Sequence, residues 1–260
     1  MNCLRCGDRG YLLESLDEVA MARVCSCRLP CPLCGGSGWV FDQSAVPPTT
    51  RPCDCRHLHR HVARYNEAGI PARMARCTLE KFEARGGNQG IVQKQLKRWR
   101  ENYRPGARGM LLFGAPGVGK THLCSALLSH FALERGYTVR FVDFFHLLSD
   151  LKAAYQADQG EETLLRPLVE VEVLAIDELG KGRATEWEVS VLDQLVSRRY
   201  NAHRTLIATT NFDPRDPAPE GPDALPRLKD RIGDRIHSRL YELCDFVELR
   251  GPDGRRAGRD

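Results

Sequence analysis

Gly114-Ala115-Pro116-Gly117-Val118-Gly119-Lys120-Thr121 is the stretch on which the reading of this chain turns. It follows a short apolar run at residues 110–113 and leads into a helical pattern. Glycines at this spacing let the backbone turn so that successive N–H groups face one point, which is the geometry that cradles a phosphate chain. Lys120 is then placed to reach β- and γ-phosphates, and the Thr121 hydroxyl to hold Mg²⁺. The eight residues Gly114, Ala115, Pro116, Gly117, Val118, Gly119, Lys120 and Thr121 are therefore candidate nucleotide-binding positions.

Outward from this loop, apolar runs at 110–113, 138–142, 171–176, 205–208 and 246–249 alternate with helical stretches. That rhythm predicts an α/β fold, a parallel five-stranded sheet between helices. The third run ends in Asp177-Glu178. At the carboxyl end of a buried strand Asp177 would join Thr121 in holding Mg²⁺, and Glu178 would polarise the attacking water as general base. After the fourth run comes Thr209-Thr210-Asn211, where Asn211 would reach the γ-phosphate or the lytic water. The proline-rich segment 213–230 reads as an exposed loop. Only a short tail follows the fifth run, so no separate helical lid domain is expected.

The 260 residues suffice for one α/β domain and one or two small modules. No apolar run approaches bilayer length, and Met1-Asn2-Cys3-Leu4-Arg5-Cys6 lacks the basic-then-apolar pattern of a signal peptide. The expectation is a cytoplasmic protein without membrane contact, in which the 11 cysteines are thiols or metal ligands. The net charge of +4 hides an asymmetry: Arg51 to Arg108 carries 14 basic and 5 acidic residues. Such a segment suits a polyanion, nucleic acid first, or else a solvated helical face. Within it Ile91, Leu96, Trp99 and Tyr103 fall on roughly one helical face, and Pro105-Gly106 ends that helix.

Residues 1–56 hold a duplication. Cys3-x2-Cys6-x18-Cys25-x-Cys27 recurs as Cys31-x2-Cys34-x18-Cys53-x-Cys55, and Gly7/Gly35, Gly10/Gly38, Tyr11/Trp39 and Arg28/Arg56 keep the same register. Each half predicts a turn, a short strand, a loop and a returning segment. Four thiolates per half make a tetrahedral Zn²⁺ site with no open position, hence two structural sites stapling a small β module. The equal offset favours Cys3, Cys6, Cys25, Cys27 at one site and Cys31, Cys34, Cys53, Cys55 at the other; a nested pairing is the alternative. His57, His59 and His61 fall outside the repeated ligand set and read as polar surface or nucleic-acid contacts. Cys77, Cys124 and Cys244 read as small buried apolar residues.

Together, Gly114 to Leu123, Ile176-Asp177-Glu178-Leu179-Gly180, Glu186-Trp187-Glu188, Arg199-Tyr200 and Thr209-Thr210-Asn211 resemble the bacterial helicase loaders of the DnaC/DnaI type. The IstB transposition helpers share that order. Ala68-Gly69-Ile70-Pro71-Ala72-Arg73 and Thr78-Leu79-Glu80-Lys81-Phe82 resemble the lead-in to the same ATPase domain, so the likeness covers about residues 64–256. The resemblance implies an AAA+ P-loop ATPase core that hydrolyses ATP with Mg²⁺, with His122 added to the nucleotide-binding set. It places Arg239, in Ile232 to Leu240, at the position of an arginine finger acting on a neighbour's nucleotide, with Arg235 one turn earlier as the alternative. Arg255, after Gly251-Pro252-Asp253-Gly254, takes the place of an arginine that senses the γ-phosphate within its own chain; Arg256 is the alternative, because the family's serine-aromatic pair is here Asp253-Gly254. Cys31 to Gly38 also resembles the glycine-rich cysteine repeat of J-type chaperones, with Asp8 standing against the second glycine in the first half.

The expected organisation is a tandem zinc module at 1–56, a basic helical connector at 57–106 and an ATPase domain at 107–260. Three functions compete. The first is a loader that self-associates through ATP, grips single-stranded DNA and engages a replicative helicase. The second is an ATP-dependent transposition helper, and the third a zinc-dependent protein-binding adaptor.

Overall fold

A computed structural model describes residues 3–42, 44, 47–157, 160–219, 221 and 224–255, which form two compact units. One comprises residues up to 76 together with 129–138; the other comprises 77–128 and the chain from 139 onward.

In the first unit the duplication is visible bond by bond. Strands β1 (Tyr11–Leu16) and β2 (Val19–Val24) form one antiparallel hairpin, β3 (Trp39–Asp42) and β4 (Thr49–Pro52) the other. Gly7 N–H donates to Cys3 O and Gly35 N–H to Cys31 O, each at 2.8 Å; Cys25 N–H to Gly10 O and Cys53 N–H to Gly38 O match in the same way. The second-glycine position is left-handed in both copies, φ 95° at Gly36 and 64° at Asp8. Aspartate tolerates that region better than most residues, and the Asp8 carboxylate also accepts the Cys3 N–H at 2.8 Å. Helix α1 (Cys55–Glu67) buries Val62 and Tyr65. Its Asn66 side chain pairs with both the N–H and the C=O of Ala22 on β2, at 2.7 and 3.0 Å.

The second unit opens with α2 (Gln89–Asn102) and continues β5 (Gly109–Phe113), α3 (Lys120–Leu133, of which 120–128 fall in this unit and 129–133 in the first), β6 (Val139–Asp143), α4 (Phe144–Gln156), α5 (Glu161–Glu170), β7 (Val173–Asp177), α6 (Glu186–Asn201), β8 (Thr205–Thr210), α7 (Lys229–Leu243) and β9 (Cys244–Glu248). Its five strands are all parallel in the order β6-β7-β8-β5-β9. The predicted α/β sheet is therefore present. β5, β7 and β8 are buried along their whole length and read as near-continuous apolar runs, as strands covered on both faces do. Around them pack Leu148 and Leu151 of α4, Leu192 and Leu195 of α6, and Ile232, Ile236 and Leu240 of α7. A capping box, Thr185 with Glu188, starts α6.

Three expectations change. The basic connector divides: 57–76 belongs to the first unit and 77–106 to the second. On α2 the buried face is Gln89, Val92 and Leu96, followed by Tyr103, whereas Ile91 is 71% exposed. Five residues separate Ile91 from Leu96, which turns it roughly 140° away at 100° per residue. Finally, 213–230 is no plain exposed loop: Asp213 and Leu228 are buried, and Asp213 is gripped by Arg215. Among the described residues no helix is long and apolar enough to cross a membrane.

Candidate nucleotide site and cysteine clusters

The strand order puts the carboxyl ends of β7, β8 and β5 side by side, and those ends carry Asp177, Thr210-Asn211 and the glycine-rich loop. Two loop glycines sit where no side chain fits. A Cβ at Gly117 (φ 81°) would lie 1.9 Å from the Asp253 carboxylate, and one at Gly119 (φ 101°) would lie 2.5 Å from the Phe82 ring. Lys120 opens α3 and folds its ammonium back into the loop. It donates to Gly114 O and Ala115 O at 2.8 Å and to Asn211 Oδ1 at 2.7 Å. All three are neutral acceptors, which a phosphate oxygen would outcompete. Burial pushes the Lys120 pKa down to about 8, against the pull of Asp177 and with some repulsion from Arg255.

Asp177 is 4% exposed. The Thr121 hydroxyl donates to both its oxygens, at 3.0 and 3.1 Å, and the Thr209 hydroxyl donates to one of them. Burial raises its pKa while these two hydroxyls oppose the shift. Glu178 follows at φ 57°, a left-handed conformation uncommon outside glycine and found at functional sites. Its N–H donates to Thr209 Oγ1 at 3.1 Å, and its carboxylate pairs with Lys181. Arg231 of α7 clamps the next turn, donating to the carbonyls of Gly180 and Gly182 with its guanidinium over the Phe212 ring.

Lys120, Thr121, Asp177 and Asn211 thus come together, with Glu178 adjoining them. Arg239 and Arg235 do not join them: both reach Asp193 of α6, at 2.8 and 3.5 Å. Arg255 continues a segment laid on the loop, where Gly254 N–H donates to Gly117 O at 3.0 Å. Arg256 lies outside the described residues. Beside the loop, a cavity of about 320 Å³ is bounded by Phe82, Gln89, Gly119 and His122. Phe82 and His122 meet edge to face at 5.4 Å, and the His122 ring bonds Thr78 O.

Sequence reasoning missed Thr209, Arg231 and Asp193 as partners of these residues. Thr209 was recoverable in principle: β7 and β8 pair Ile176 with Ala208, so Asp177 and Thr209 are the next step of that register. Arg231 and Asp193 carry no local signal.

The eight cysteines group as Cys3, Cys6, Cys25, Cys27 and Cys31, Cys34, Cys53, Cys55, with all ligand atoms of each set within 4.8 Å of one another. The pairing is the sequential one. Sulfurs lie 3.5–3.9 Å apart across each set. That is far beyond a disulfide bond of about 2.05 Å, and near the roughly 3.8 Å edge of a tetrahedron with 2.3 Å metal–sulfur bonds. The donor sets fit zinc. Cys124 and Cys244 are buried and Cys77 half-buried.

Fold and site together define an AAA+ P-loop ATP-binding protein. The sequence model of the family described as "IstB-like ATP binding protein" matches residues 53–251, and the chain belongs to that family. Among curated relatives it is 30% identical over 175 residues to uncharacterized protein YdaV of Escherichia coli K12, covering 67% of this chain and 66% of that one. It is 28% identical over 175 residues to the replicative helicase loader DnaC of Buchnera aphidicola subsp. Schizaphis graminum, covering 66% of each. The match thus spans just under two thirds of these relatives' length. Among solved structures, the DnaC helicase loader superposes with a TM-score of 0.58 at 24% identity over 68% of this chain and 99% of that one. DnaI gives 0.58 at 23% identity over 71% and 94%.

Proposed function

We propose that this protein is an ATP-hydrolysing helicase loader of DNA replication, acting in the cytoplasm on single-stranded DNA and a replicative helicase. The observation that carries the ATPase part is the meeting of Lys120, Thr121, Asp177 and Asn211 at the ends of three adjacent strands. Relatives named as replicative helicase loaders support the cellular role.

In this reading the backbone of Gly114 to Thr121 holds the triphosphate and Lys120 exchanges its carbonyl partners for phosphate oxygens. The base occupies the cavity beside Phe82 and His122. Thr121 and Asp177, an oxygen donor pair, would hold Mg²⁺, whose charge offsets that of the phosphates. Glu178 leaves Lys181 to accept a proton from water, and Asn211 orients that water. Arg239 acts on the nucleotide of an adjoining copy, and Arg255 on its own. The cysteine sets hold two zinc ions that keep the 1–56 module folded, while 57–106 and 107–260 contribute basic contacts and catalysis.

The test uses the purified chain, the replicative helicase of the same organism, ATP and single-stranded DNA. ATP-dependent deposition of helicase on the DNA is expected. No association with the helicase, together with capture of a transposase under the same conditions, would overturn the reading in favour of a transposition helper.

A further inference from the structure

The two cysteine hairpins share one plan yet spend their aromatic residues differently. In the first copy Tyr11 is 5% exposed and its hydroxyl donates to Glu134 Oε1 at 2.7 Å, inside the same compact unit. Leu58 of α1 lies over Gly10, its Cδ2 3.1 Å from where a Cβ would stand. The equivalent edge of the second copy is open. Trp39 is 48% exposed, and a cleft of about 760 Å³ runs beside it, bounded by Gly38, Arg56, His57, His59 and Arg60. Leaving a tryptophan half in water forgoes part of the apolar burial that the first copy secures.

The surroundings of Trp39 identify what would cover it. Phe41, 58% exposed, is two residues along the same strand and so on the same face, about 7 Å away at the usual strand rise. The Arg56 guanidinium lies over the Trp39 ring at 4.6 Å. Arg60 donates to His57 Nδ1 at 2.7 Å. Among the described residues neither arginine has a carboxylate partner, and no acid lines the cleft. Two exposed aromatics in step along a strand, with unpaired cations beside them, form a stacking platform with phosphate contacts. A cleft of this size takes a nucleotide unit.

We propose that this cleft binds single-stranded nucleic acid, with Trp39 and Phe41 stacking on bases and Arg56 and Arg60 meeting phosphates. The proposal deepens the single-stranded DNA part of the function above by naming a contact surface outside the ATPase unit. A zinc-bound set of four thiolates has a formal charge of −2 and offsets part of the arginine charge, so stacking carries most of the affinity.

The experiment titrates the full-length, zinc-loaded chain into fluorescein-labelled oligothymidylate at several salt concentrations. Trp39→Ala should weaken binding about 5- to 150-fold, the effect of losing one stacked base. Arg56→Glu with Arg60→Glu should weaken binding and flatten the log–log salt slope by about 1.4, at roughly 0.7 per phosphate contact. Zinc content and ATP turnover without DNA should match the unsubstituted chain, which separates a lost contact from a lost fold. Wild-type affinity in both variants, or no binding of oligothymidylate by the unsubstituted chain, overturns the proposal. So does loss of helicase association in Trp39→Ala with DNA binding intact, which would make the cleft a protein-docking surface. Helicase deposition, measured separately, decides the loader reading whatever the cleft binds.

Discussion

Lys120 is buried beside Asp177 with three neutral oxygens as its bonded partners, and this gives ATP binding a pH dependence of predictable sign. With no phosphate bound its pKa is lowered to about 8 by burial. A triphosphate stabilises the charged form and raises that pKa, so above pH 8 binding takes up a proton. The ATP dissociation constant should be nearly flat below pH 7 and rise by up to about tenfold per pH unit above 8. A calorimetric titration across that range checks it, and a constant that falls with pH would refute it. Glu178→Gln should still bind ATP and lose about 10²- to 10⁴-fold in turnover, the range for a general base. Lys120→Ala should weaken binding itself. Single-turnover rates with measured nucleotide affinity separate the two. At this scale Lys120, Thr121, Asp177, Glu178 and Asn211 were legible in the sequence, because each sits at a set distance along the backbone from a strand end. Thr209 was not singled out: its hydroxyl matters only because β7 and β8 are neighbours.

Among the elements, the two cysteine hairpins bury little apolar surface, and β3 and β4 have no buried residue. Zinc binding worth about 10–16 kcal/mol per site can supply the missing stability. Metal analysis of protein purified under reducing conditions should find two zinc ions per chain. Chelation should unfold the hairpins while the β5–β9 unit keeps its cooperative unfolding transition. One zinc or none would count against the two-site reading. A second element-scale device is Arg199 of α6, which is fully buried and, among the described residues, has no carboxylate partner. Its guanidinium donates to the carbonyls of Leu168, Val169, Val171, Glu172 and Thr205, joining the end of α5 to the starts of β7 and β8. Burial lowers its pKa to about 9. Arg199→Met leaves buried carbonyls without donors, and should cost about 3 kcal/mol or more in urea denaturation. The order of elements was visible in the apolar rhythm; the face of α2 was not, since Ile91 and Val92 differ only in what packs against them.

Between whole molecules, the arginines of α7 are the test. Asp193 holds Arg239 and reaches Arg235, so the α7 guanidinium is ordered within a single chain before any neighbour arrives. If Arg239 completes a neighbour's site, turnover per subunit should rise with protein concentration and with single-stranded DNA. Arg239→Ala should remove a rise of about 10³- to 10⁵-fold while leaving ATP affinity nearly unchanged. Mixing Arg239→Ala with Glu178→Gln should restore part of the activity, because each supplies what the other lacks. A mixture that associates yet stays inactive shifts the assignment to Arg235.

What the sequence determined by itself lies in short-range spacing. The glycine-rich loop before Lys120, the paired acids after the third strand and the 28-residue register of the cysteines are each set by covalent distance along one chain segment. The alternation of apolar runs with helices adds the parallel sheet, since no other layering buries such strands on both faces. Only the tertiary structure decided which elements became neighbours. It resolved sequential over nested cysteine sets, seated Thr209 on Asp177, tied Arg231 to the turn after Glu178 and divided the basic connector between two units. It also left Trp39 open where Tyr11 is covered, although the two occupy the same place in the repeat. These outcomes depend on contacts between segments tens of residues apart, whose proximity is a property of packing and not of spacing along the chain.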